Sequence, residues 1–331
     1  MSNDIKHFLR RNVREVATLA IILAIVVFVN ARSGGAFLTP RNISDMFTES
    51  AILIIITMGM MMVIITTGID LSIGAIMALS GMISTTVLSA HMSLDPMIII
   101  GIAVAVGLVA GTINGALVAY LGILPIIATL GTMNVFRGLT YLVSGGSWNL
   151  QKNMSREFMN VAIGTKFGLN NMILIALVVV VAAHLFMNKY RAGRRIYAVG
   201  DSESSAAISG IKAKRVKLMA YAILGALSGL GGVLYVCKYA AAQGETAMGY
   251  EMNVIAACVL GGVAITGGSG KVIGAALGAI LLGILNNALP LLRISPFWQE
   301  AIRGLIVLVS IIANVIISLN VTKRSLERRA L

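Results

Sequence analysis

Charge is scarce in this chain, and so are the groups that soluble enzymes use. Of its 331 residues, 12% are charged and 6% are aromatic, with two cysteines and three histidines. A soluble domain carries about twice that share of charge, so a water-facing globule is excluded. Cys237 and Cys258 lie in or beside apolar runs without ligand spacing. That excludes a disulfide framework and a thiolate metal centre, and leaves both as small hydrophobes. His7, His91 and His184 are scattered and form no metal cluster. No Ser-His-Asp set or pair of carboxylates is visible, so enzyme chemistry has no residues to rest on and no cofactor is implied.

What the chain has is apolar length. It is 58% hydrophobic, with a mean hydropathy of +0.91. The apolar residues come in blocks long enough to cross a bilayer. Read with Gly and Pro as punctuation, they give ten candidate spans: 16–30, 51–67, 71–90, 97–121, 124–143, 170–188, 217–237, 252–266, 272–289 and 298–320. The runs at 51–67 and 252–266 are short and read as partial or tilted helices. The fold class is therefore an all-α, polytopic transmembrane bundle in a single domain, 1–331. The first run follows Lys6, Arg10, Arg11 and Arg14, as a signal peptide would, but Ala31-Arg32-Ser33-Gly34 is a poor cleavage site. It reads as an uncleaved span.

The net charge of +13 does not point to nucleic acid, because Lys and Arg gather at the ends of spans. Loop 189–217 carries Lys189, Arg191, Arg194, Arg195, Lys212, Lys214, Arg215 and Lys217, whereas loop 239–251 has no Lys or Arg. With ten spans, the N-terminus, loop 189–217 and the C-terminus fall on one side, and they are the most basic segments. Both termini are then expected to be cytoplasmic.

Asp70 is the most informative residue. It sits in Gly68-Ile69-Asp70-Leu71-Ser72-Ile73-Gly74 between two apolar runs. An acid at membrane depth is expensive and is kept where it faces protein or water. Two roles fit it: capping the next helix, or lining a route for solute with Ser72. Asn114, Asn286 and Asn287 are further route candidates, although helix–helix hydrogen bonding explains them equally well. Gly101, Gly107, Gly111 and Gly115, and again Gly274, Gly278 and Gly283, recur at spacings that let helix backbones approach closely. Asn114-Gly115-Ala116-Leu117, Pro125 and Arg137-Gly138-Leu139 are echoed by Asn286-Asn287-Ala288-Leu289, Pro296 and Arg303-Gly304-Leu305. The echo is consistent with an internal repeat, a common transporter device. Arg137 and Arg303 read as snorkelling side chains, and pairing with Asp70 is the alternative.

Gly267-Gly268-Ser269-Gly270-Lys271 imitates a nucleotide-binding loop, but Ile265 replaces its first glycine and Val272 follows the lysine. It reads as a flexible turn, and the chain is not expected to hydrolyse ATP. In loop 189–217, Ser202 is placed to cap a short helix through Glu203, Ser204, Ser205, Ala206 and Ala207. Taken alone, the loop reads as an ordinary basic loop that fixes topology.

Three motifs carry a resemblance. They are Thr67-Gly68-Ile69-Asp70-Leu71-Ser72-Ile73-Gly74; Ala198-Val199-Gly200-Asp201 with Ala206-Ala207-Ile208-Ser209-Gly210-Ile211; and Tyr250-Glu251-Met252-Asn253 through Gly261-Gly262 with Gly267-Gly268-Ser269-Gly270. With Gly131-Thr132 and Arg137-Gly138, they make nearly the whole chain resemble the permease subunits of bacterial ABC importers of the ribose type. That family includes xylose, galactose, rhamnose and autoinducer-2 permeases. Many relatives have Asn where Asp201 stands. The resemblance implies a multi-pass inner-membrane subunit working with ABC ATPase subunits, a second permease copy or homologous permease, and an extracytoplasmic sugar-binding protein. It turns loop 189–217 into an expected ATPase-docking element built on Asp201, Ser202, Glu203, Ser204, Ser205, Ala206, Ala207 and Gly210. The scarcity of aromatic residues suits selection by an external binding protein. An ion-coupled carrier using Asp70, or an ABC permease for amino acids, are the rival readings.

Overall fold

A computed structural model describes residues 13–299 together with 301, 302, 304, 305, 308, 309 and 312. Eight of its helices are long and apolar enough to cross a membrane. They are α1 (Val13–Arg32), α2 (Pro40–Ile65), α3 (Ile73–Ala90), α4 (Pro96–Ala119), α5 (Pro125–Ser144), α7 (Asn171–Lys189), α10 (Ala213–Tyr239) and α12 (Val272–Leu291). Between them lie the short helices α6 (Arg156–Ile163), α8 (Arg191–Asp201), α9 (Glu203–Ile208) and α11 (Tyr250–Leu260). Two-residue strands β1 (Asn149–Leu150) and β4 (Ala241–Ala242) pair antiparallel, as do β2 (Thr165–Lys166) and β3 (Leu169–Asn170).

The helix starts follow local chemistry. Thr39 precedes Pro40 and accepts from the Asn42 N–H, and Asp95 precedes Pro96 and accepts from the Met97 N–H. Asn170 caps α7 through the Met172 N–H. A polar cap followed by proline at the first helical position is a strong start signal. It corrects the expected span 51–67: α2 begins at Pro40 and so takes in Asp45 and Glu49. The apolar run 252–266 is also corrected. Its helix α11 stops at Leu260, where Gly262 adopts a φ of +79°. The run goes on apolar but not helical. Residues 296–299 are helical, but most of the expected tenth span, and Arg303, lie outside the described residues.

The helix α2 is the axis of the bundle, buried almost continuously from Ser50 to Ile65. The helix α10 packs against it, and α4 lies against α10 with the two backbones in close approach. A Cβ added at Gly107 would lie 2.8 Å from the Gly229 Cα, and one added at Gly111 would lie 2.8 Å from the Gly225 Cα. Only glycine lets the backbones meet, which is how helices gain packing energy in lipid. Among the described residues nothing lies within 4 Å of a Cβ added at Gly101, so that member of the series does not pack against them.

Loops 66–72, 190–212 and 261–271 share one end, here termed the basic end. The Gly268 N–H donates to the Ile65 carbonyl, and the Tyr197 hydroxyl to the Gly270 carbonyl. Burial pushes the Tyr197 phenol above its usual range, so it remains a donor. Lys271 pairs with Glu15 at the start of α1. The turn expected to be flexible at 267–271 is thus packed: Gly267 has a φ of +88° against Thr67, and Gly268 lies against Asp201. At the opposite end, Asn287 and Asn42 exchange amide hydrogen bonds. The two echoing segments therefore run in opposite directions, with Asn114 near the basic end and Asn286 near the other.

Candidate functional site

The turn 66–72 shows how a carboxylate is kept inside the bundle. The helix α2 closes on Thr67, whose N–H donates to the Ile64 carbonyl, and Gly68, whose N–H donates to the Val63 carbonyl. This is the doubly bonded left-handed helix ending usually built on glycine, here with Thr67 at φ +64°. Gly68 is required for space, since a Cβ there would lie 2.7 Å from the Tyr221 hydroxyl. That hydroxyl donates to the Ile69 carbonyl at 3.2 Å. The Leu71 N–H donates to Thr129 Oγ1 on α5 at 3.1 Å.

Asp70 then receives three hydrogen bonds. The Ser72 N–H and Ser72 Oγ donate to Oδ1 at 2.8 and 2.7 Å, and Asn114 Nδ2 donates to Oδ2 at 3.0 Å. The same amide nitrogen donates to Ser72 Oγ at 2.7 Å. Asp70, Ser72 and Asn114 are all fully buried. These bonds lower the cost of a buried charge and fix one geometry, with Asn114 Oδ1 buried and unpaired among the described residues. Asp70 binds the backbone ahead of α3, whereas the first residue of α3 is preceded by Ser72, which makes no side-chain cap.

The structure thus joins Asp70, Ser72 and Asn114, three residues singled out from sequence, and sets Asn286 and Asn287 apart at the opposite end. It also adds Thr129 and Tyr221, which carry no sequence signal because Thr and Tyr are unremarked on helices. Arg137 does not reach Asp70. Its Nη1 donates to the Gly244 and Thr246 carbonyls at 2.7 and 2.8 Å, holding segment 240–249 against α5. One helix therefore secures two inward-folded turns, through Thr129 and through Arg137. Arg137→Met is expected to destabilise the protein by about 2–3 kcal/mol, since charge-assisted bonds to buried carbonyls are lost. Denaturant unfolding in detergent measures this.

Loop 189–217 is not a plain loop. It holds α8, with Ile196 and Val199 buried, and α9. Ser202 Oγ accepts from the Ser205 N–H, as its position predicts. Gly210, at φ +75°, closes α9 with its N–H on the Ala207 carbonyl. Asp201, Glu203, Ser204, Ser205, Ala207 and Gly210 are exposed, Ser202 is half-buried, and Ala206 is buried. Glu203 pairs with Lys217. Gly200 packs directly on the Ile65 carbonyl, so the exposed helix α9 is one contact removed from the Asp70 turn. Among the described residues no group of His, Cys, Asp or Glu is placed to hold a metal ion.

The chain is similar over most of its length to known transport permeases. Residues 42–311 match the family described as branched-chain amino acid transport system / permease component. The D-allose transport system permease of Escherichia coli K12 is 34% identical over 302 residues, covering 91% of each chain. The ribose import permease of Bacillus subtilis is 37% identical over 296 residues, covering 89% of this chain and 90% of its own. The autoinducer 2 import system permease of Escherichia coli O9:H4 is 32% identical over 303 residues, covering 91% and 86%. No solved structure matches the chain. Given the length of these matches and a bundle of eight membrane-length helices, this chain belongs to the permease-component family of bacterial transport systems and is a multi-pass inner-membrane protein.

Proposed function

We propose that this chain is the non-catalytic membrane subunit of an ATP-driven importer for a monosaccharide or a related polyol-like solute. The observation that carries the reading is α9. It projects Ala207 and Ile208, the latter 90% exposed, while Ala206 anchors it and Gly200 ties α8 to the end of α2. An exposed apolar tip joined to the core by backbone contact suits a partner that pushes, and a separate ATPase is that partner. Its nucleotide states must favour different permease conformations for the coupling to work. A cleft of 520 Å³ beside α9, lined by Thr67, Gly68, Tyr120, Glu203, Lys217 and Tyr221, offers room for docking.

The basic end faces the cytoplasm in this reading, by its excess of Lys and Arg, and both termini lie there. The opposed directions of the α4–α5 and α12 segments support an inverted internal repeat. Large apolar side chains exposed on α5, such as Leu142 at 78%, suit lipid or a second permease copy. The names of the allose, ribose and autoinducer 2 permeases favour sugar-like cargo over the amino acids in the family description. An extracytoplasmic binding protein completes the assembly.

Ala207→Trp with Ile208→Asp is expected to cut ATP-driven uptake about tenfold or more, equivalent to roughly 1.4 kcal/mol of docking energy. Membrane insertion should be unchanged, since both side chains are exposed. Normal uptake by that variant would count against α9 as the docking element.

A further inference from the structure

At the end opposite the docking helices, a polar chamber of 160 Å³ lies between α2, α10, α11 and α12. Its walls include Glu49, Lys238, Tyr235, Tyr250, Asn253 and Asn286. A wider vestibule of 480 Å³ adjoins it, lined by Asp45, Thr48, Asn287 and Pro290. Among the described residues the two spaces share three: Glu49, Lys238 and Asn286. Glu49 and Lys238 are joined as an ion pair across 189 residues of sequence.

The wall chemistry selects a class of occupant. Glu49 and Lys238 neutralise each other, so the chamber offers no net charge to an ion. Asn253 and Asn286 bring side-chain amides to the wall, groups that can both donate to and accept from hydroxyls. Tyr235 forms an aromatic corner with Tyr239 at 4.5 Å and Tyr250 at 6.4 Å between ring centroids. Ring faces beside mixed donors and acceptors complement a neutral molecule with many hydroxyls and apolar C–H faces.

We propose that this chamber is an internal binding site for a neutral polyhydroxylated solute, and that the Glu49–Lys238 pair separates it from the vestibule. The proposal rests on the transport reading above and adds a site within one protomer. Opening requires the two charged side chains to part while each finds another partner: Asp45 lines the same vestibule as Lys238, and the solute hydroxyls serve Glu49.

The test uses Asn253→Cys, on a wall of the chamber and not of the vestibule, in the full-length permease assembled with its ATPase and binding protein in proteoliposomes. Cys237 and Cys258 are buried, so background labelling is low. A small methanethiosulfonate reagent is expected to modify the new thiol from the vestibule side. Saturating D-ribose or D-allose should slow labelling about tenfold, whereas equimolar gluconate, similar in size but charged, should not. Absence of labelling, labelling that neither sugar slows, or equal protection by gluconate would each overturn the proposal. ATP-driven uptake is measured in parallel on vesicles carrying the wild-type permease. Uptake without protection overturns the chamber and leaves the transport reading standing; protection without uptake upholds the chamber and removes that reading.

Discussion

Gly111→Leu is expected to leave no correctly folded permease. At this position α4 meets α10 backbone to backbone, and even a methyl group would stand 2.8 Å from the Gly225 Cα and 3.0 Å from its nitrogen. Neither neighbour is a side chain that can rotate away. Moving α10 would disturb its contacts with α2 and α3, where Gly59 and Gly232 pack as tightly. Overpacking a rigid site costs about 1–3 kcal/mol where side chains can adjust, and more where they cannot. The effect should be read as loss of the monodisperse peak in detergent chromatography, with Gly101→Leu as the control. A Cβ at Gly101 meets nothing within 4 Å among the described residues, so that variant should behave as the wild type.

Asp70→Ala carries the second large effect. Removing the carboxylate strands the Ser72 N–H and the Ser72 hydroxyl in a fully buried site and leaves the Asn114 amide only its bond to Ser72 Oγ. Each unsatisfied buried group costs about 1–3 kcal/mol, so a loss of about 3 kcal/mol or more is expected. The functional loss should be greater than the stability loss, because the turn joins α2 to α3 next to the Gly200 contact from α8. Asp70→Asn keeps an oxygen for the Ser72 donors but presents an N–H₂ to the Asn114 amide. It should be intermediate in thermal unfolding and still show impaired uptake. Equal stability and uptake in Asp70→Ala and wild type would remove the turn from the mechanism.

The legibility of these features in the sequence follows from their physical range. Asp70 stood out because one acid in an apolar block is costly wherever it lies. Asn114 was named for its polarity, but its bond to Asp70 joins two helices and has no local trace. Thr129 and Tyr221 complete the turn with groups that sit unremarked on any helix. Span starts are local, and Thr39-Pro40 marks the true start of α2. A hydropathy reading passes over it because Asp45 and Glu49 interrupt the apolar run. The helix α8 was hidden for the opposite reason: Ile196 and Val199 are the few apolar anchors in a segment dominated by arginine. At 252–266, composition stays apolar after the backbone turns at Gly261-Gly262, so hydropathy overran the helix. Arg137 is conspicuous in an apolar span, but its partners are carbonyls of segment 240–249, and carbonyls are present at every residue.

The central claim is that this permease moves nothing unless a separate ATPase acts on its basic end. The most direct measurement is uptake of labelled D-ribose and D-allose into proteoliposomes, with the permease alone and with ATPase and binding protein added. The predicted result is ATP-dependent accumulation of at least one sugar in the complete assembly, and neither uptake nor nucleotide hydrolysis by the permease alone. Accumulation by the permease alone under a proton or sodium gradient would contradict it.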